Sequence, residues 1–195
     1  MGNIYCIMGK SSSGKDTIFK LLLDRTDIDL KTIVSYTTRP IRSHEKPGEE
    51  YNFVSIEEKD RLVAEGKVIE LREYNTVHGP WFYFTVDDGS LDLEHHDYLI
   101  IGTVESFVKI RDYYGEDKVL PIYIEVDDGI RLTRALEREK MQENPKYEEM
   151  CRRFLADQQD FSEENIKNAR ITNVFNNNKD SKETCDKIAA FINGR

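Results

Sequence analysis

Long apolar runs are missing from this chain. No apolar stretch approaches the roughly 18 residues that cross a bilayer, so no segment is expected to span a membrane. Positive charge is in deficit: 28 Lys and Arg stand against 37 Asp and Glu, a formal net charge of -9. That balance argues against a broad nucleic-acid or anionic-membrane surface, although local arginine clusters can still hold small anions. Cysteine is scarce. Cys6, Cys151 and Cys185 are odd in number and far apart, show no zinc or redox spacing, and read as buried free thiols in a reducing cytoplasm. The histidines lack ligand spacing too, and His95-His96 beside Asp97 reads as a solvated loop. There is no internal repeat, no low-complexity tract, and no basic-then-apolar leader at the N-terminus. What is present, 38% hydrophobic and 33% charged residues over 195 positions, suits one globular core with smaller inserted lobes.

Short runs rich in Val, Ile and Tyr, at Ile4–Met8, 32–36, 98–102, 119–126 and 171–175, read as buried strands of a parallel sheet. Helical patterns separate them. Lys15–Leu23 carries Ile18, Leu21 and Leu22 on one side, and Val104–Tyr114 forms another helix. The segment 130–140 has a weaker stripe of Ile130, Leu132 and Leu136. Tyr147, Met150, Cys151, Phe154, Leu155 and Gln158 recur at helical spacing, and 184–192 turns Ile188, Ala189 and Ile192 inward. Strands alternating with helices imply a three-layer α/β core with right-handed crossovers. The stretch 37–93 breaks the rhythm, being polar at first and then aromatic (Tyr51-Asn52-Phe53, Trp81-Phe82-Tyr83-Phe84), with a helix near 56–65. It reads as an inserted lobe whose aromatic cluster is mostly its own packing core. The polar segment around Asn144-Pro145 reads as a mobile lid.

Between the first strand and the first helix lies Gly9-Lys10-Ser11-Ser12-Ser13-Gly14-Lys15-Asp16-Thr17. A glycine-bounded loop opening a helix wraps backbone N–H groups around a polyphosphate and adds the positive end of the helix. Gly9 and Gly14 permit the backbone angles, Lys15 reaches the outer phosphates, and Lys10 reads as solvated. Asp16 stands where such loops usually carry a Ser/Thr that meets Mg²⁺, with the Thr17 hydroxyl one residue later. The loop implies binding of a nucleoside triphosphate, with Ser11, Ser12 and Ser13 part of the cradle.

A second constellation concerns the acceptor. In Val34-Ser35-Tyr36-Thr37-Thr38-Arg39-Pro40-Ile41-Arg42, two arginines three apart beside hydroxyls make an anion site able to fork onto phosphate oxygens. Followed by Gly48-Glu49-Glu50-Tyr51-Asn52-Phe53, the stretch resembles the monophosphate lobe of guanylate kinases, with the pattern V-S-x-T-T-R-P-x-R and then G-x-x-Y-x-F. The resemblance runs along essentially the whole chain and is weakest at 72–105. It implies a P-loop three-layer core with a parallel five-stranded sheet (1–36 and 94–195, including a lid near 138–147) and an inserted GMP-binding lobe (37–93). It implies that Arg39, Arg42, Tyr51 and Tyr83 meet the GMP phosphate, and that Ser35, Glu70 and Thr85 meet the guanine. Arg134, Arg138 and Arg153 match lid and returning-helix arginines that, with Lys15, neutralise the transferred phosphoryl group. Asn176 matches an asparagine near the adenine of ATP. ATP and GMP are the implied partners and Mg²⁺ the implied cofactor, held through Asp16 and Thr17.

Two departures bear on that picture. Phe84 replaces a usual glycine between Tyr83 and Thr85. An Asp-x-Asp expected near the strand at 98–102 is replaced by Ile101 and Thr103, with Glu105 as the nearest acid. Three readings stay open: an ATP:GMP phosphotransferase, a P-loop kinase for another or modified monophosphate, and a non-catalytic guanylate-kinase-like binding module.

Overall fold

Successive residues of a strand face opposite ways, and in the first strand both faces are apolar. In the computed structural model, which describes residues 2–42, 45–76 and 79–195, β1 (Ile4–Met8) is entirely buried. Ile4, Cys6 and Met8 enter one core layer with Val104, Phe107 and Ile110 of α3 (Val104–Tyr114). Tyr5 and Ile7 enter the other with Ile18 and Leu22 of α1 (Lys15–Leu23) and Ile188, Ala189 and Ile192 of α7 (Ser181–Asn193). A strand covered on both faces belongs at the centre of a parallel sheet. The main sheet has the order β2-β7-β1-β8-β9, every pairing parallel, with β2 at Leu30–Thr32, β7 at Asp97–Ile101, β8 at Val119–Glu125 and β9 at Val174–Asn176.

The expected strand at 32–36 is divided between two sheets. Leu30–Thr32 pairs with Asp97–Leu99 at the edge of the core, whereas β3 (Tyr36–Thr37) pairs with β4 (Asn52–Phe53) and β6 (Gly79–Val86) in a second sheet of order β4-β3-β6-β5. The long β5 (Val68–Thr76) completes that sheet. One face of it, with Tyr36, Val54, Leu71, Phe84 and Val86, packs against Leu62 of α2 (Ile56–Ala64). Phe84 is fully buried there and stacked on Tyr36, which explains a large ring between two residues of the opposite face.

Further corrections concern helices. In α4 (Asp128–Lys140) the buried face is Arg131, Ala135 and Glu139, not the expected leucine stripe: Leu132 and Leu136 are exposed. The α5 helix (Tyr147–Asp160) has no fully buried residue, so Cys151 is exposed, unlike Cys6 and Cys185. Burial, with a smaller push from the Glu70 charge against the pull of Arg72, raises the Cys6 thiol to about 12, which keeps it protonated. A short helix absent from the sequence reading, α6 (Glu163–Asn168), is capped by Ser162, whose hydroxyl accepts from the Asn165 amide. Among the described residues no helix is long and apolar enough to cross a membrane.

Candidate functional site

The phosphate loop leaves β1 at Met8 and enters α1 at Lys15. Two of its residues hold left-handed backbone, Ser12 (φ 63) and Gly14 (φ 85). A side chain at Gly14 would also meet the Asn177 amide nitrogen at 2.6 Å, so glycine is required there on both counts. Asn177 is the brace. Wholly buried, it donates from Nδ2 to the Ser13 carbonyl at 2.8 Å and takes the Thr184 hydroxyl on its own carbonyl at 3.2 Å. Asn176, the residue expected near adenine, is exposed at the end of β9 one position earlier. The hydroxyls of Ser12 and Ser13 are buried without a partner among the described residues, polar groups turned into a cradle rather than tied off.

The other side of the loop is held by α4 and α5. Arg131, 1% exposed, donates to the Ser11 carbonyl (3.1 Å) and to Asp128 (2.6 Å), and lies over the Phe154 ring at 4.6 Å. Asp157 accepts from the Ser11 amide at 2.7 Å. Lys10 donates to Gln158 at 2.7 Å, so it is engaged rather than solvated. Arg153 reaches the Ser11 hydroxyl at 3.3 Å, and with Arg138 lines a small cavity of about 40 Å³ beside Ser11 and Ser12. Arg134 lies elsewhere, donating to the Asn177 and Asn178 carbonyls at 3.0 and 3.3 Å. The structure thus brings Arg138 and Arg153 together over the loop and sends Arg134 to the strand-end turn after β9.

Lys15 Nζ lies 3.2 Å from the Asp16 carboxylate, itself largely exposed, and Thr17 is exposed beside it. These oxygens suit Mg²⁺, a hard cation that takes one or two protein ligands and fills its shell with phosphate and water. Among the described residues no cluster of three or more His, Cys, Asp or Glu side chains able to hold a metal ion is found.

The second anion site lies on the open face of the small sheet. Pairing places Glu70 opposite Thr85 and Arg72 opposite Tyr83, and alternation puts all four on one face. Arg39, 3% exposed, forks onto Glu45 at 2.8 and 2.9 Å and lies 5.5 Å from the Tyr51 and Phe53 ring centres. The Arg39 fork holds Glu45 below the usual carboxylate range, with the Arg42 amide assisting. Tyr83 packs edge-on against Tyr51 at 5.6 Å, and Arg39 Nε is buried without a partner among the described residues. Arg42 is exposed at the rim. Glu70 is buried, accepting the Thr85 hydroxyl at 2.8 Å and two Arg72 donors at 2.9 and 3.2 Å. Ser35 is buried in the crossover between the sheets, its carbonyl taking the Asn52 amide. A cleft of about 560 Å³ separates β5 from α3, α5 and α6. Thr103, in the expected Asp-x-Asp region, caps α3, and Glu105 pairs with Lys109 at 2.7 Å.

Asn177 and Asp157 escaped the sequence reading. Asn177 had a neighbouring signal in Asn176, but choosing between adjacent asparagines requires knowing where β9 ends. Arg131 was visible only as one more arginine on the helical face of Arg134 and Arg138.

A family model described as guanylate kinase matches residues 1–81. The guanylate kinase of Thermotoga maritima is 36% identical over 124 residues, which cover 64% of this chain and 49% of that one. That of Chlorobaculum tepidum is 30% identical over 138 residues, covering 70% and 68%. The chain spans about half the length of the Thermotoga relative. In three dimensions, a crystal structure of guanylate kinase from Anaplasma phagocytophilum superposes with a TM-score of 0.68 at 25% identity, covering 99% of this chain and 85% of that one.

Proposed function

Because this chain belongs to the guanylate kinase family, we propose that it moves the γ-phosphoryl group of ATP to GMP, giving ADP and GDP. The observation that carries the reading is the pairing of two anion sites of different design. One is a helix-opening loop with Lys15; the other is a sheet face where Arg39, Tyr51 and Tyr83 lie alongside the buried Glu70–Thr85 pair. In the donor site the loop amides and Lys15 hold the outer phosphates, with Arg138 and Arg153 facing the equatorial oxygens of the phosphoryl group in flight. Mg²⁺, held with the phosphates by Asp16 and Thr17, would add charge neutralisation there. In the acceptor site Arg39 and Arg42 fix the GMP phosphate while Glu70 accepts from N1–H and the amino group of guanine. An acceptor phosphate oxygen then forms the new P–O bond as the β–γ bridge breaks and ADP departs with the electron pair. The acceptor is already an anion, so no protein base is needed and the work is positioning. We also infer the cytoplasm as its compartment, a reading supported by three free cysteines with no disulfide partner.

Rates of transfer from ATP to a panel of monophosphates test the reading, with Lys15→Ala as the donor-site control. GMP is expected to exceed AMP by roughly 10⁴ in kcat/KM, as a site built to hydrogen-bond a substrate group allows. Lys15→Ala is expected to lower kcat by about 100-fold or more without moving Tm. Equal use of AMP and GMP would transfer the assignment to another monophosphate kinase, and absence of transfer to any monophosphate would leave a binding module.

A further inference from the structure

One charged group on the acceptor face has no task in the scheme above. Arg72 lies two residues beyond Glu70 on β5, hence on the same face, and its side chain borders the cleft between the small lobe and the core. Its Nε and Nη2 donate to the two Glu70 oxygens at 2.9 and 3.2 Å, and the Thr85 hydroxyl adds a third bond at 2.8 Å. A carboxylate offers about four acceptor positions. Three are therefore occupied, while a guanine brings two donors of its own, N1–H and the amino group. One internal donor must leave.

Thr85 is 2% exposed and locked in β6, so its hydroxyl has nowhere to turn. Arg72 is the donor at the edge: its side chain keeps 12% exposure where Glu70 has none, it lines the cleft, and among the described residues no hydrogen bond from Nη1 is seen. On the opposite wall Glu105 pairs with Lys109, and the Asp160 carboxyl is pushed up by burial and by Asp157 and Glu105; neither bonds Arg72 in this structure. A guanidinium leaving a carboxylate at the edge of the cleft exchanges its bonds for water or for new acceptors. The neighbouring edge of guanine supplies O6 and N7, a spacing that an arginine fork matches.

We propose that Arg72 is a second base-reading residue. It releases Glu70 as the nucleotide enters and forks onto O6 and N7, while Glu70 takes N1–H and the amino group. The pair reads both hydrogen-bonding edges of the base, and this rests on the reading of the acceptor as a guanine nucleotide.

The test compares kcat/KM for GMP and 7-deaza-GMP, which lacks only the N7 acceptor, in the wild type, Arg72→Met and Arg72→Lys. The wild type should lose about 10-fold on the analogue, Arg72→Met should use the two nucleotides alike, and Arg72→Lys, whose ammonium can still donate to N7 or O6 without the planar fork, should show a reduced preference. IMP, which keeps O6 and N7 but lacks the amino group, should stay disfavoured in the variants, because that penalty belongs to Glu70. Should Arg72→Met fail to fold, the wild-type comparison and Arg72→Lys still decide. Equal use of GMP and 7-deaza-GMP by the wild type, or an undiminished preference in a folded variant, overturns the role of Arg72 and leaves GMP phosphorylation standing. A wild type that transfers to AMP but not to GMP rejects the parent reading and this one with it.

Discussion

At Arg39 a guanidinium is almost wholly withdrawn from water, and its bidentate partner Glu45 is nearly as deep, at 3% and 6% side-chain exposure. Removing one member of such a pair leaves the other charge buried, so Glu45→Gln should cost roughly 3 kcal/mol near neutral pH. The sign with pH follows from the direction of the shift. Arg39 depresses the Glu45 pKa in the folded protein, so the contribution is present above the unfolded value and vanishes as acid reaches the depressed one. Urea midpoints of the wild type and Glu45→Gln are therefore expected to converge below about pH 4. A gap independent of pH would show that Glu45 acts through shape rather than charge. The same fork explains how an anion site stays ordered without ligand: a carboxylate stands where phosphate oxygens would be offered.

Loops and helices meet at the donor site through Asn177, and its brace decides how firmly the phosphate loop is held. Asn177→Ala removes the donor to the Ser13 carbonyl and leaves the Thr184 hydroxyl without one of its acceptors. Loss of a buried hydrogen bond that strands its partner costs about 1–3 kcal/mol. The variant should lose that much stability by urea unfolding and raise KM for ATP more than KM for GMP. An equal rise in both constants would indicate a general loosening instead. On the opposite flank, the α4–α5 hairpin presents Arg131, Asp157 and Gln158 to the loop, so a helix pair with little buried apolar surface is tied down by polar contacts. A helix of that kind opens more readily than a packed one, as expected of an element that admits nucleotide.

Across the whole molecule, the donor loop belongs to one sheet and the acceptor face to another, with a cleft of about 560 Å³ bordering β5. If the chain carries out the transfer proposed above, the two phosphates must meet with water excluded, and the two sheets are then expected to approach one another. Solution scattering with a bisubstrate analogue is expected to give a smaller radius of gyration than ATP or GMP alone. An unchanged radius would mean that the cleft is already at its working width. The small sheet has its own core around Leu62, Phe84 and Val86, while Ile69 of β5 packs on the main core and marks where the two are joined.

Much of this was legible in the chain itself, and the reason is locality. The phosphate loop, the helices Lys15–Leu23 and Val104–Tyr114, and the parallel core follow from short-range pattern: a continuous apolar run in β1, helical spacing in α1, and a glycine where positive φ is needed. Spacing beside hydroxyls pointed to Arg39 and Arg42 as an anion site, Glu70 and the lid arginines were named through the family resemblance, and Glu45 and Arg72 were not named at all. Tertiary structure decided what spacing leaves open. The run at 32–36 was divided because its two ends find partners in different sheets. In α4, Arg131 displaced the leucines from the buried face because the loop carbonyl and two carboxylates satisfy its charge there. Arg72 was joined to Glu70 only when β5 extended alongside β6 and turned both to one face. Pattern along a chain records which residues can be buried; only the assembled partners determine which charges can be buried with them.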